Sequence, residues 1–351
     1  MFRFLFIIFF SNAVFANSPS VISSDLKSEI ILLFQNTDGG WPKNIKWEQF
    51  KTSKDAISYL KEFSAKSTID NNATYTQIRV LSRSYTETKN STYRDAALLG
   101  LKFILRNQHN SGGWRGSDVD AITFNDNAMI GVMELLREIK QKKSDFNWIE
   151  EKIRKKCQNS LDKALRLVLD CQIVVKGKKT AWCQQHHHLT LKPIKARNYE
   201  LPSISGAESV GIIRYLMKIE EPSNEIIESI ESAILWFRKS AIKDLRIEKF
   251  EIEPVQYKNK IIKHDIRTIT DLNAKPIWAR FYEIKTNLPF FCNRDGIKVY
   301  SLNEVKLERR TGYSWYSYSP QKLLDQDYPK WKKTITETKS KKWKLPPNLP
   351  E

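Results

Sequence analysis

Apolar residues recur at spacings of three and four over residues 22–34, over residues 92–107, and again from near Ile149. That period matches one buried face of a helix. The first two segments run into the same loop: Gln35-Asn-Thr-Asp-Gly-Gly-Trp41 returns as Gln108-His-Asn-Ser-Gly-Gly-Trp114. A looser third copy, residues 172–182, has a longer loop and lacks the paired glycines. After each Trp a second helix is predicted, starting near Asp70, Asp126 and Ser205 and running to about Thr88, Lys140 and Ile219. Asp and Ser at these starts suit N-capping. Glycine supplies the turn dihedrals, and tryptophan plugs helix ends. Repetition of this kind predicts a mainly α chain, an (α/α)3 toroid built from three helix pairs. In such a toroid the inner-helix N-termini face one mouth, where unpaired N–H groups favour an anion. Asp70 and Asp126, in equivalent places of two repeats, are expected to converge there.

The helical pattern weakens from about Asp244 to Lys275, where charged and apolar residues alternate (Phe250-Glu-Ile-Glu-Pro254). This reads as loop or short strands. Residues 276–320 are rich in aromatics, Arg, Gly and Pro, which suits an ordered lobe with function in its loops. The expected organisation is residues 17–243 as the toroid, 244–325 as a smaller irregular, short-strand lobe that completes a groove, and 326–351 as a basic, Pro-rich tail.

Composition narrows the partner without choosing it. The 351 residues carry a net charge of +18, which suits a polyanion: nucleic acid, anionic lipid or acidic polysaccharide. Residues 2–10 are apolar but for Arg3, and Val14-x-Ala16 has the small-residue spacing of a signal-peptidase site. Residues 1–16 therefore read as a cleaved signal peptide, with a periplasmic or secreted destination. No other segment is long and apolar enough to span a bilayer, so no membrane partner is expected after its removal. Four cysteines in an exported chain invite disulfides. Cys157 and Cys171, though, fall on one predicted helix roughly 21 Å apart, and no disulfide framework is expected. His186-His187-His188 is a poor metal motif, because consecutive side chains diverge. A Gly-rich phosphate loop and a Gly-x-Ser-x-Gly elbow are both missing.

Several further segments, in order, carry a resemblance. They are Gly39-Gly-Trp-Pro-Lys-Asn44, Ser67-Thr-Ile-Asp-Asn-Asn-Ala-Thr74, Thr123-Phe-Asn-Asp-Asn-Ala-Met129, Thr180-Ala-Trp-Cys-Gln-Gln-His186, Thr190-Leu-Lys-Pro193 with Ala196-Arg197, and Pro202-Ser-Ile-Ser-Gly-Ala-Glu-Ser209. Trp278-Ala-Arg-Phe-Tyr-Glu283, Asn293-Arg-Asp-Gly296 and Glu308-Arg-Arg-Thr-Gly-Tyr313 complete the set. Across roughly residues 25–325 the chain resembles family-10 pectate lyases. The resemblance implies a toroid with a second lobe, and calcium-assisted β-elimination of polygalacturonate at alkaline pH. It implies Arg294 as the base, Arg280 and Arg197 as carboxylate binders with Lys195 as a weaker clamp, Asp70 and Asp126 as Ca2+ ligands, and Asn71 in an orienting role. Structural ion pairs with Glu200 or Glu283 are the bland alternative for the two carboxylate-binding arginines, and plain N-capping is the alternative for the two aspartates.

The chemistry agrees with such a residue set. Removing a proton beside a uronate carboxylate requires neutralising that carboxylate, which a dication and arginines do. An arginine base is the difficult part, because guanidinium is ordinarily always protonated. The chain also departs from the family pattern. Asn127 stands where a second Asp is common, the loop Arg115-Gly-Ser-Asp-Val-Asp120 is several residues shorter, and His187 replaces an Asp. A non-catalytic or weakened pectin-binding relative is thus the alternative reading. A terpenoid-cyclase-like toroid also uses Gln and Gly-Gly-Trp repeats, but the basic balance and the leader argue against it. A nucleic-acid binder has only charge in its favour. A monomer is expected.

Overall fold

The structure is a computed structural model that describes residues 24–344. The signal-peptide expectation lies outside the described residues. Helices α1 (Ser24–Leu33), α2 (Ser53–Leu60), α3 (Tyr75–Thr88), α4 (Ser91–Arg106), α5 (Ala128–Lys140), α6 (Glu151–Asp170), α7 (Glu208–Met217) and α8 (Asn224–Lys239) make an (α/α)3 toroid. Helix α3 packs on α5 and α5 on α7, while α1 packs against α4 and α4 against α6 around them. The inner row is the more apolar. In α5 every one of Met129, Val132, Met133, Leu135, Leu136 and Ile139 is fully buried.

The repeat has a physical cause. Gln35 donates to Gly39 O (2.8 Å) and to Ala96 O of α4 (2.9 Å). Gln108 does the same to Gly112 O (2.7 Å) and Ser160 O of α6 (2.9 Å), and Gln172 to Thr180 O (3.0 Å) and Ser229 O of α8 (2.9 Å). Each glutamine closes its own loop and ties it to the next outer helix, satisfying carbonyls that burial would otherwise orphan. Trp41, Trp114 and Trp182 then donate Nε1–H to Ile31 O (2.7 Å), Ile104 O (2.8 Å) and Val168 O (2.7 Å), plugging the helices they follow. The first glycine of each pair is required: Gly39 (φ 89°) and Gly112 (φ 108°) have positive φ, and a Cβ there would meet Leu99 O at 2.5 Å and Lys163 O at 2.4 Å.

A fourth copy exists that residue spacing conceals. Trp278 donates Nε1–H to Phe237 O of α8 (2.8 Å). The backbone exchange Ile242–Ile277 matches Asn36 N to Gly40 O, His109 N to Gly113 O and Ile173 N to Ala181 O in the other three. Between its two halves the chain inserts a hairpin of two long antiparallel strands, Leu245–Tyr257 and Lys260–Thr270, with a register shift between Glu251 and Val255. Pro254, lacking an N–H, lies in that shift. The expectation of loop or short strands is corrected here: both faces are partly exposed, so alternation never sorts into one apolar side.

The smaller lobe has its own core of Tyr199, Phe281, Phe290, Phe291, Cys292, Leu302, Val305 and Trp315. Its antiparallel sheet runs Lys298–Val299, Pro289–Cys292, Phe281–Tyr282, Ile204–Ser205. The last strand and Tyr199 come from before residue 243, so the lobe is not the separate 244–325 segment expected. Nor are residues 326–344 a tail. Helix α9 (Leu307–Thr311) and α10 (Ser319–Lys322) lead to α11 (Tyr328–Lys344), whose Trp331 and Ile335 are buried. Lys332 pairs with Glu231 of α8, and Arg238 of α8 lies over the Tyr328 ring at 5.4 Å. A Lys-rich stretch can dock in this way because its few apolar residues share one helical face. All four cysteines are free and buried. Among the described residues no helix is long and apolar enough to cross a membrane.

Candidate active site

Two short turns precede α3 and α5. Asp70–Asn72 and Asn125–Asn127 are 3-10 turns with left-handed residues at Asn71 (φ 47°) and Asn72 (φ 66°), and at Asp126 (φ 50°) and Asn127 (φ 57°). Asn and Asp tolerate this region best, which explains the Asp/Asn-rich composition. The match of dihedrals corrects the expected equivalence: Asp70 corresponds to Asn125, and Asp126 to Asn71. Neither aspartate caps a helix, since Thr74 and Asn127 occupy the N-cap positions without side-chain cap bonds. Ser205 does accept from the N–H of Ala207 and Glu208, both at 3.2 Å.

Asp70 is buried. Its Oδ2 accepts from Lys43 Nζ (2.9 Å), Ser117 Oγ (2.6 Å) and Ser117 N (3.3 Å), while its buried Oδ1 has no partner. Burial pushes this carboxyl up, but the bonds from Ser117 and Lys43 outweigh it and hold Asp70 below its ordinary value. Asp126 differs. Burial raises it, Arg280 only partly offsets that, and the charges of Glu208 and Asp70 add to the rise. Glu208 and Asp70 thus disfavour its charge, while Arg280 and Arg197 oppose them. Asn125 Nδ2 donates to Asp126 Oδ2 (2.9 Å), and Asn125 Oδ1 accepts from Arg280 Nη2 (2.8 Å).

Arg280 pairs with buried Glu208 and lies over the Tyr313 ring at 4.6 Å. Arg197 pairs with Glu200, lies 3.8 Å from Asp118 Oδ2, and stacks on Tyr199 at 5.1 Å. Tyr313 donates its hydroxyl to Glu200 Oε1 (2.8 Å). Burial lowers both guanidinium pKa values, but Glu208 and Glu200 respectively reverse that and hold each arginine cationic. The ion-pair alternative is thus present, with Glu208 rather than Glu283 as the partner of Arg280. It does not use up the arginines, because Nε of Arg280 and Nε of Arg197 are buried donors without a hydrogen-bond acceptor. Like the buried Oδ1 of Asp70, these donors are polar atoms left without a protein partner, which calls for an explanation.

Arg294 adjoins this set. It makes a two-pronged bond to Glu308 (2.7 and 3.3 Å), lies over the Tyr199 ring at 5.6 Å, the ring Arg197 also covers, and keeps half its side chain exposed. The Glu308 bond raises its pKa. Lys195 is exposed, and Asn71 turns away to donate to Asn44 Oδ1 (2.8 Å). Sequence reasoning named Glu200 as an ion-pair partner but missed Lys43, Ser117, Asn125, Glu208 and Tyr313. Most of them do lie inside the motif segments, where burial alone reveals their part. His186 is structural: its ring bonds Leu191 O (2.8 Å) and Cys183 N (3.1 Å), and burial depresses it to about 4.

Solved structures with this arrangement come from Cellvibrio cellulosa. A mutant family 10 polysaccharide lyase in complex with trigalacturonic acid is 28% identical, with a TM-score of 0.72, over 86% of this chain and 91% of that one. A second family 10 polysaccharide lyase structure from the same organism is 28% identical, with a TM-score of 0.70, over 88% and 92%. Fold and site together define a polysaccharide lyase. No curated protein matches the chain. The family model described as pectic acid lyase matches residues 35–324, and the chain belongs to that family.

Proposed function

We propose that the chain cleaves α-1,4-linked polygalacturonate by calcium-assisted β-elimination, leaving 4,5-unsaturated oligogalacturonides. The observation that carries this reading is a set of unmet acceptors and donors within the motif segments: Oδ1 of Asp70, and Nε of Arg197 and Arg280, are buried without a hydrogen-bond partner. A galacturonate with a bound dication answers both. The trigalacturonic acid bound by the Cellvibrio lyase supports the substrate class.

The donor set fits calcium in part. Asp70 and Asp126 offer hard oxygens of the kind it takes. Among the described residues, however, no group of three or more His, Cys, Asp or Glu is disposed to hold a metal ion, and Lys43 already neutralises one oxygen of Asp70. The remaining oxygens must come from substrate and water, so metal and uronate bind together. When bound, the cation neutralises the uronate carboxylate and thereby acidifies the C5 proton.

Arg280 and Arg197 orient that carboxylate through their free Nε–H groups. We assign proton removal to Arg294, the role the family resemblance implies: it shares the Tyr199 ring with Arg197 and is half exposed, whereas Arg197 is held cationic by Glu200. The electrons of the broken C5–H bond form the C4–C5 double bond, and the C4–O bond breaks with its pair to be reprotonated. Glu308 opposes loss of the Arg294 guanidinium proton, so the reaction requires alkaline pH. The apolar leader fits a periplasmic or extracellular protein, where the polymer is met.

The test is ultraviolet absorbance of the unsaturated product from polygalacturonate at alkaline pH, with calcium and then with excess chelator. Product that forms with calcium and stops with chelator is the expected result. Binding of the polymer with no product at any metal concentration would instead make the chain a pectin-binding relative.

A further inference from the structure

A second basic cavity opens beside Asp70. It has a volume of about 860 Å3 and lies between the first Gly-Gly-Trp loop, residues 64–69 and the short loop after Trp114. Its inner end is made by Lys43 and Ser117, the same residues that hold Asp70, so it is continuous with the active site. Its outer walls carry Lys66 and Arg115, both exposed. Lys66 has no acidic partner among the described residues. Arg115 reaches Asp120 only at 3.7 Å, across an exposed pair.

The wall has one acid, Asp38, whose Oδ1 accepts from Ser67 Oγ (2.6 Å) and Gly40 N (3.0 Å) and keeps its charge. Lys43, Lys66 and Arg115 stand against it, so the lining is net cationic. The cavity is also lined by amide and hydroxyl side chains such as Asn107 and Ser64, which suit sugar hydroxyls. Arg115, Gly116 and Ser117 of the short loop bound it, with Gly116 N bonded to Thr123 Oγ1 (2.9 Å).

We propose that this cavity is an additional uronate subsite, in which a polygalacturonate chain continues past Asp70 and places carboxylates against Lys66 and Arg115. The short loop thereby shifts the enzyme toward longer chains. This rests on the lyase reading for the identity of the polymer, although the cavity's cationic character does not depend on it.

The experiment is the double variant Lys66→Glu/Arg115→Glu, two exposed positions whose folding is checked by thermal melting. Trigalacturonate and hexagalacturonate are compared by titration calorimetry and by product absorbance. The variant should lose about 10-fold or more in hexamer affinity and kcat/KM, and less than about 2-fold for the trimer, as expected for charge-assisted contacts outside the reacting centre. Equal losses on both oligomers, or none on either, would overturn the subsite. Length-dependent binding without elimination would keep the subsite and remove the lyase reading. Elimination without any length-dependent effect of the variant would keep the lyase and remove the subsite.

Discussion

Glu200 is fully buried and holds both Arg197 and the Tyr313 hydroxyl. Burial raises its pKa, but the Arg197 bond outweighs this and leaves it lowered. A carboxylate depressed in the folded state contributes stability above its unfolded pKa and loses it as pH falls through the folded one. Glu200→Gln should therefore cost about 1–3 kcal/mol near neutral pH, with the difference vanishing in strong acid. Urea unfolding at both pH values measures it. Asp70 and Asp126 drew attention as acids ahead of two repeated helices, and their proposed role came from the family resemblance. Their register was misjudged although Thr68-Ile-Asp-Asn-Asn-Ala73 and Thr123-Phe-Asn-Asp-Asn-Ala128 align directly, setting Asp70 against Asn125, as the dihedrals also do. Asp126→Asn, which keeps a residue suited to the left-handed φ of 50°, should leave thermal stability unchanged or raised, since it removes a carboxylate charge disfavoured by Glu208 and Asp70. It should also abolish calcium-dependent turnover. A melting curve beside the absorbance assay tests both halves of that expectation.

At the scale of elements, the toroid was readable wherever a loop kept its Gln and Gly-Gly-Trp at fixed spacing. The helices predicted from residues 70, 126 and 205 all form, as α3, α5 and α7. The fourth copy escaped because its Trp lies far along the chain, after an inserted hairpin, and because Ala241 stands where the other copies have Gln. Its contribution is measurable. Trp278→Phe removes the bond to Phe237 O while keeping most of the apolar volume, and should cost about 1–2 kcal/mol by thermal melting. Helix α11 was hidden by its lysines. Trp331→Ser, or truncation before Tyr328, should lower the melting temperature by exposing the face that Trp331 and Ile335 cover.

For the whole molecule, the lobe and toroid are knitted by Ile204–Ser205 and by Arg280, which leaves the lobe sheet to reach Glu208 and Asn125 on the toroid side. The groove is thus assembled from segments 155 residues apart in sequence, and that assembly was not legible beforehand. Residue types pointed to uronate chemistry, but only packing separates Arg197 and Arg280, paired with the buried acids Glu200 and Glu208, from Arg294, which pairs with Glu308 and stays half exposed. The most direct test is kcat for Arg197→Lys and Arg294→Lys measured side by side on polygalacturonate with calcium. The expected result is a fall of about 1,000-fold or more for Arg294→Lys and mainly a raised KM for Arg197→Lys. The reverse order, with Arg197→Lys inactive and Arg294→Lys close to the parent, would contradict the site described.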